Sequence, residues 1–328
     1  MIRRFRWAPI LRFGLGLALV ALLIHSVALE NFRSALTPLR NHPGWIVLAV
    51  ALTYTALLVG IIRWHAILRT LQLPTPFYQT YRGFFIGQFF NAFLFGACGG
   101  DVARAVVAAY DHPEKRTEAV ASVLLDRAIG LVTTLLIGCA LVIPRLREMA
   151  AFENARLALI LMAAFLCATV AFIALFFTRD VFARSPFLQR FQRRGRLGPL
   201  LARAYDAIYL FRKNARHLLW PGVLSIANLL LLTAAATALA QALELGLPFS
   251  DLLVVFPVIT VLAAIPLTPG SLGVRETLTI TLLAPFGIAP AQALMLSLLG
   301  YLAATLWSLY GAIFLLRPTT PPPPNPEP

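Results

Sequence analysis

Long apolar runs alternate with short charged links along this chain. Six runs are continuous enough to cross a bilayer, at about 8–29, 45–68, 119–143, 157–178, 218–243 and 289–316, because ~20 helical residues span the hydrocarbon core. Two more, about 83–109 and 252–285, are interrupted, the first by GACGGD at 96–101 and the second by IPLTPGSLG at 265–273. The first break is followed at once by Asp101 and Arg104. Lipid cannot satisfy irregular backbone or buried charge, so such a segment must line protein or a watery cavity. The pattern predicts an all-α polytopic membrane bundle with about six full spans and two re-entrant hairpins of broken helix.

Composition supports this class. With 59% hydrophobic and 13% charged residues and a mean hydropathy of +0.78, the chain cannot coat a soluble globule with polar surface. Its net charge of +14 is nearly all arginine, the lysines being Lys115 and Lys213. Guanidinium is a planar fork of donors suited to phosphate and carboxylate. These charges flank apolar runs, which makes anionic lipid headgroups the expected partner and argues against nucleic acid. Cys98, Cys139 and Cys167 lie inside apolar stretches without ligand spacing and read as packing residues. The five histidines are scattered, so no metal and no cofactor is expected. The proline-rich end at 318–328 is expected to be disordered.

Arginine also orients the chain. The segment 179–217 holds ten basic residues against two acidic ones, and Arg3, Arg4 and Arg6 mark the N-terminus, so both are expected on the cytoplasmic side of an inner membrane. The link 244–251 has Glu244 and Asp251 but no Lys or Arg, as expected outside. Counting spans from these anchors leaves Arg63, Arg69 and Arg82 on the cytoplasmic side. It makes 83–109 begin and end in the cytoplasm and 252–285 begin and end outside, and it returns Arg317 to the cytoplasm. Within 179–217, apolar positions from Leu200 to Phe211 recur at helical spacing among arginines, which predicts either a helix lying in the inner interface or a plain linker.

The order helix, helix, broken hairpin, helix occurs twice, over 8–143 and 157–316, with opposite orientation. A single transmembrane domain, 1–317, built from two half-repeats is therefore expected. Aligning the breaks sets GGDVAR beside GSLGVR, Gly99 on Gly270 and Arg104 on Arg275. Inverted repeats with discontinuous helices place substrate near the midplane between the halves. Helices starting after the glycine breaks would aim N–H groups at an anion, with Arg104 and Arg275 one turn in. Gly99, Gly100, Pro266, Pro269, Gly270 and Gly273 would shape the bends. In the competing reading these residues serve packing, and each arginine pairs with a neighbouring acid, Asp101 or Glu276. Asp126 and Arg127 form a further intramembrane pair, either at the site or snorkelling near the interface. Asn91 is a candidate for substrate or for freed backbone groups.

The ordered motifs GQFFNAFLFGACGGDVARA, ASVLLDRAIGL and AAIPLTPGSLGVRET resemble the flippase-like transmembrane region of lysylphosphatidylglycerol synthases and its stand-alone relatives. The resemblance covers nearly the whole chain. Where members often have proline-glycine-glycine at the first break, this chain has FGACGG, so its hairpin is expected to bend in its own way. The resemblance implies a lipid translocator without the soluble aminoacyl-transfer domain, which this chain is expected to lack. Some stand-alone relatives accompany hopanoid or glycolipid pathways, so an accessory role beside lipid-biosynthesis enzymes is the alternative. A membrane-embedded transferase is a third, disfavoured because the intramembrane acids are spread singly. The expected ligand is a lipid with an anionic or zwitterionic headgroup, its phosphate held by Arg104 and Arg275. Asp101, Asp126 and Glu276 would balance charge or contact an amine, with Arg127 and Asn91 as further candidates at the site. No nucleotide-binding loop is present.

Overall fold

The computed structural model describes residues 37–93, 99–178, 216–265 and 271–316. The expected span 8–29, the segment 179–215 with its interfacial helix, Cys98, the bend residues Pro266, Pro269 and Gly270, and the tail 318–328 lie outside the described residues. Within them the chain is helical and has no strand. The helices are α1 (Pro43–Thr70), α2 (Phe77–Phe93), α3 (Gly99–Asp111), α4 (Arg116–Val142), α5 (Leu146–Ala150), α6 (Glu153–Thr178), α7 (Arg216–Ala242), α8 (Phe249–Ala263), α9 (Val274–Leu283), α10 (Pro290–Ser308) and α11 (Tyr310–Leu316). Four stretches, Pro43–Thr70, Arg116–Ala150, His217–Ala242 and Pro290–Leu316, are long and apolar enough to cross a membrane. The chain is an integral membrane protein of the polytopic helical class, and α6 covers the expected span at 157–178.

The two hairpins are too short to cross. At ~1.5 Å per residue, α2 and α3 reach ~25 and ~20 Å against a ~30 Å hydrocarbon core, and α9 has only 10 residues. Side-chain ties show which end each hairpin uses. Thr75, just before α2, meets His112, just after α3, at 3.0 Å, and Arg82 bonds Asp111 at 2.9 Å. The first hairpin therefore starts and finishes at one end of the bundle. Arg145, following α4, pairs with Asp251 at the start of α8 and lies 6.0 Å from the ring of Phe286, just after α9. The second hairpin starts and finishes at the other end.

Helices α1 and α7 pack antiparallel along their lengths, joined by Asn228 Nδ2 donating to the Ala56 carbonyl at 2.6 Å. They also end alike. Gln72 and Glu244 take positive φ, 55° and 54°, and the amides of Leu73 and Leu245 reach back to the carbonyls of Leu68 and Ala240. These left-handed residues close the last turn and satisfy its carbonyls. A proline, Pro76 or Pro248, then leads into the first helix of each hairpin. The contacts beyond are reciprocal: α4 packs on α8 of the second hairpin, and α10 on α2 of the first.

Close helix approach, rather than apolar burial alone, drives packing in lipid. At the α2–α3 crossing a Cβ on Gly100 would strike the Gly87 carbonyl oxygen, and one on Gly87 would strike the side chain of Arg104. Outward, α3 presents Val102, Val106 and Tyr110 at four-residue spacing, all exposed. That stripe suits lipid, and it turns Arg104 and Ala108 inward.

Candidate functional site

The start of α3 and the end of α8 are joined by Arg127 on α4. Its guanidinium pairs with Asp101 in the first turn of α3 and donates to the Ala264 carbonyl, just past the end of α8, at 3.3 Å. Both contacts complement the helix ends they touch, an acid at an N-terminus and a cation at a C-terminus. A second tie, from α10, joins the end of α2 to the start of α9: the Tyr301 hydroxyl donates to the Ala92 carbonyl at 3.1 Å and its ring lies under Arg275, 4.9 Å from the guanidinium.

Beside Arg127 and Arg275 lies a cavity of about 360 Å³, at the small end of the usual range for ligand pockets. Its polar lining includes Asn91 from α2, Arg127 from α4, Arg275 and Thr279 from α9 and Ser297 from α10. Leu232, Ala236 and Leu239 of α7 and Val255 and Ile259 of α8 make an apolar wall. The Oδ1 atom of Asn91 is buried and has no hydrogen-bond partner among the described residues.

Behind Arg127 runs a chain of alternating charge. Asp126, almost fully buried, accepts from Arg63 Nε of α1 at 2.7 Å and from Arg104 at 3.0 Å. Arg104 also lies 3.9 Å from Asp101, which leads to Arg127. The Arg104 guanidinium rests between the rings of Trp64 and Phe84, at 4.3 and 4.7 Å. Stacking of this kind favours arginine over lysine. Arg63 is further held by the Ser225 hydroxyl of α7 at 3.0 Å, and Gly130 leaves room for its guanidinium.

In the second hairpin Gly273, at φ 84°, precedes α9. Its amide donates to Glu276 at 2.6 Å, and Glu276, with no exposed surface, also accepts from Ser297 at 3.1 Å and pairs with Arg275. Arg275 is thus anchored on one side by Glu276 and Ser297 and open to the cavity on the other.

Of the residues expected at a site, Arg127, Arg275 and Asn91 line the cavity. Arg104, Asp101, Asp126 and Glu276 stand behind them as partners. Gly99 and Gly100 open α3, and Gly273 precedes α9. The two aligned arginines occupy different helical positions, Arg104 being the sixth residue of α3 and Arg275 the second of α9. The N-terminus of each of these helices has an acid of its own in the first turn, Asp101 or Glu276, so guanidinium side chains line the cavity where helix ends were expected. Sequence reasoning missed Arg63, counted there among the loop charges, and the supporting Trp64, Ser225, Ser297 and Tyr301. The one signal for Arg63 was its place inside an apolar run, six residues before Arg69.

The family model of the lysylphosphatidylglycerol synthase TM region matches residues 10–311. The chain belongs to that family. No curated protein matches it.

Proposed function

We propose that this member of the lysylphosphatidylglycerol synthase TM-region family moves a phospholipid, or another lipid of a biosynthetic pathway, between leaflets, with its headgroup seated in the cavity. The supporting observation is the cavity, which sets two guanidiniums, Arg127 and Arg275, against an apolar wall. Forked donors hold a phosphate by paired hydrogen bonds, while the wall accommodates the glycerol and the first carbons of the acyl chains. Arg104 takes a positioning role here, since it holds Asp101 and Asp126 in place behind Arg127.

Hairpins entering from opposite ends offer the headgroup a route from either leaflet, as in transporters whose broken helices meet at the midplane. In this reading the chain is no enzyme, both termini face the cytoplasm, and its partners are membrane lipids and the enzymes that make them. Leaflet-resolved movement of headgroup-labelled phospholipid in proteoliposomes tests it. Wild-type protein should equilibrate label across the bilayer well above empty vesicles, and Arg275→Gln should not. Lipid binding without movement would favour an accessory protein that presents a lipid to its pathway.

A further inference from the structure

Three threonines line the cavity from three helices, Thr53 of α1, Thr260 of α8 and Thr279 of α9. Each spends its hydroxyl proton on its own helix, donating to the carbonyl four residues earlier: Ala49 at 2.8 Å, Phe256 at 2.8 Å and Arg275 at 2.7 Å. A hydroxyl has one proton and two acceptor lone pairs, and none of the three receives a hydrogen bond from the described residues. Thr260 is half-buried, and Thr53 and Thr279 each keep 5% of their surface open, so none is sealed off. Ser297 is different, since it donates to Glu276 at 3.1 Å and accepts from Arg275 Nε at 3.0 Å. Around the threonines the wall is apolar, with Leu239, Val255 and Ile259.

We infer that Thr53, Thr260 and Thr279 form an acceptor subsite beside the phosphate position, so that the cavity takes a phosphodiester whose substituent carries at least one N–H or O–H donor and rejects one that has none. The inference deepens the lipid reading above and rests on it. Thr279 stands one turn beyond Arg275 on α9, on the same helix face, which sets an acceptor next to the guanidinium that would hold the phosphate. The phosphate itself is better served by guanidinium donors than by hydroxyls, and a threonine that turned to donate would give up its bond to the helix. A donor entering so apolar a space loses its water and needs a new acceptor, and the threonine oxygens supply one. Ethanolamine, glycerol and sugar substituents meet the requirement; choline, whose nitrogen is fully methylated, does not.

The test is calorimetric binding of two short-chain lipid series to the purified full-length chain in neutral detergent. The first runs from phosphatidylethanolamine through its N-methyl and N,N-dimethyl forms to phosphatidylcholine, at constant charge. The second compares phosphatidylglycerol with phosphatidylmethanol, which has the same charge and no donor. In the first series the first two methyls should change affinity by no more than about threefold, and the third, which removes the last N–H, should lower it about tenfold. Phosphatidylmethanol should bind about tenfold more weakly than phosphatidylglycerol. Valine matches threonine in shape but offers no acceptor, so Thr260→Val with Thr279→Val should bring phosphatidylethanolamine down to the phosphatidylcholine level. Thr260→Ser with Thr279→Ser keeps both hydroxyls and should keep the step.

Equal wild-type binding within both series, or an even decline with each methyl, overturns the inference and leaves the lipid reading standing. Where one series binds and the other does not, the series that binds decides. No binding of any lipid overturns both readings. A step that persists in the valine variant overturns the assignment to these threonines, and single Thr260→Val and Thr279→Val variants carry that test if the double variant does not fold. Soluble glycerophosphoethanolamine binding as tightly as the lipid supports the donor requirement and overturns the membrane lipid as its source.

Discussion

Arg63 and Asp126, sixty-three positions apart in sequence, meet at 2.7 Å with the carboxylate almost fully buried. Asp126 simultaneously bonds Arg104, so one acid joins α1, α3 and α4. Removing one partner of a buried pair leaves uncompensated charge and costs about 3–5 kcal/mol. Asp126→Asn should therefore lower the thermal midpoint of the purified protein sharply. By contrast Glu244→Gln, which breaks the exposed contact with His42 at 3.0 Å, should cost no more than ~1 kcal/mol. Equal effects in one melting series would mean that Asp126 is protonated or hydrated rather than paired.

The two arginines aligned by sequence should respond differently to lysine. Arg104 is stacked between Trp64 and Phe84 and holds a buried acid, so Arg104→Lys should destabilise the fold and reduce transport only in proportion to folded protein. Arg275 is anchored by Ser297 and Glu276 and lines the cavity. Arg275→Lys should keep the melting temperature within a few degrees yet cut lipid movement per folded molecule by roughly tenfold, because an ammonium cannot hold its anchors and a phosphate in the forked geometry. Transport normalised to folded protein for both variants separates the roles. Wild-type transport by Arg275→Lys would remove this arginine from the headgroup site.

That split shows where sequence stops being informative. The breaks at glycine and proline announced both hairpins, because only those residues and charge interrupt runs as apolar as these. Helical phase was not legible there. Asp126 and Arg127 are adjacent in sequence, but ~100° per residue turns the first toward α1 and α3 and the second toward the cavity. The G-x-x-x-x-R spacing is identical in the two hairpins, yet α9 starts at Val274 while α3 starts at Gly99, so the same offset lands on different faces. Arg63 resembled the end-of-span charge that the topology count needed, and only the position of α4 reveals its partner.

The α2–α3 crossing makes a sharper demand than apolar packing does. Since a methyl on Gly100 would strike the Gly87 carbonyl oxygen, Gly100→Ala must push the two helices apart. Overpacking of this sort costs about 1–3 kcal/mol. Displacement of α3 should also loosen Asp101 from Arg127, so lipid binding should fall together with stability. At Gly44, where an added Cβ meets nothing within 4 Å, alanine should leave both unchanged. Paired melting and binding curves for Gly100→Ala and Gly44→Ala check this, and a neutral Gly100→Ala would show that the hairpin is not tightly closed.

The opposed hairpins give the most direct test of topology. Glu114, next to His112 where the first hairpin ends, and Ser250, next to Asp251 where the second begins, are both exposed and lie at opposite ends of the bundle. On a background lacking Cys98, Cys139 and Cys167, single cysteines at these positions should react with an impermeant maleimide from opposite faces of oriented membranes. The basic links predict that Glu114→Cys labels from the cytoplasmic face and Ser250→Cys from the other. Reversed labelling would keep the architecture and turn the protein over, placing both termini outside. Labelling of both from one face would contradict the opposed hairpins and leave the cavity open to a single leaflet, which is incompatible with carrying a headgroup across.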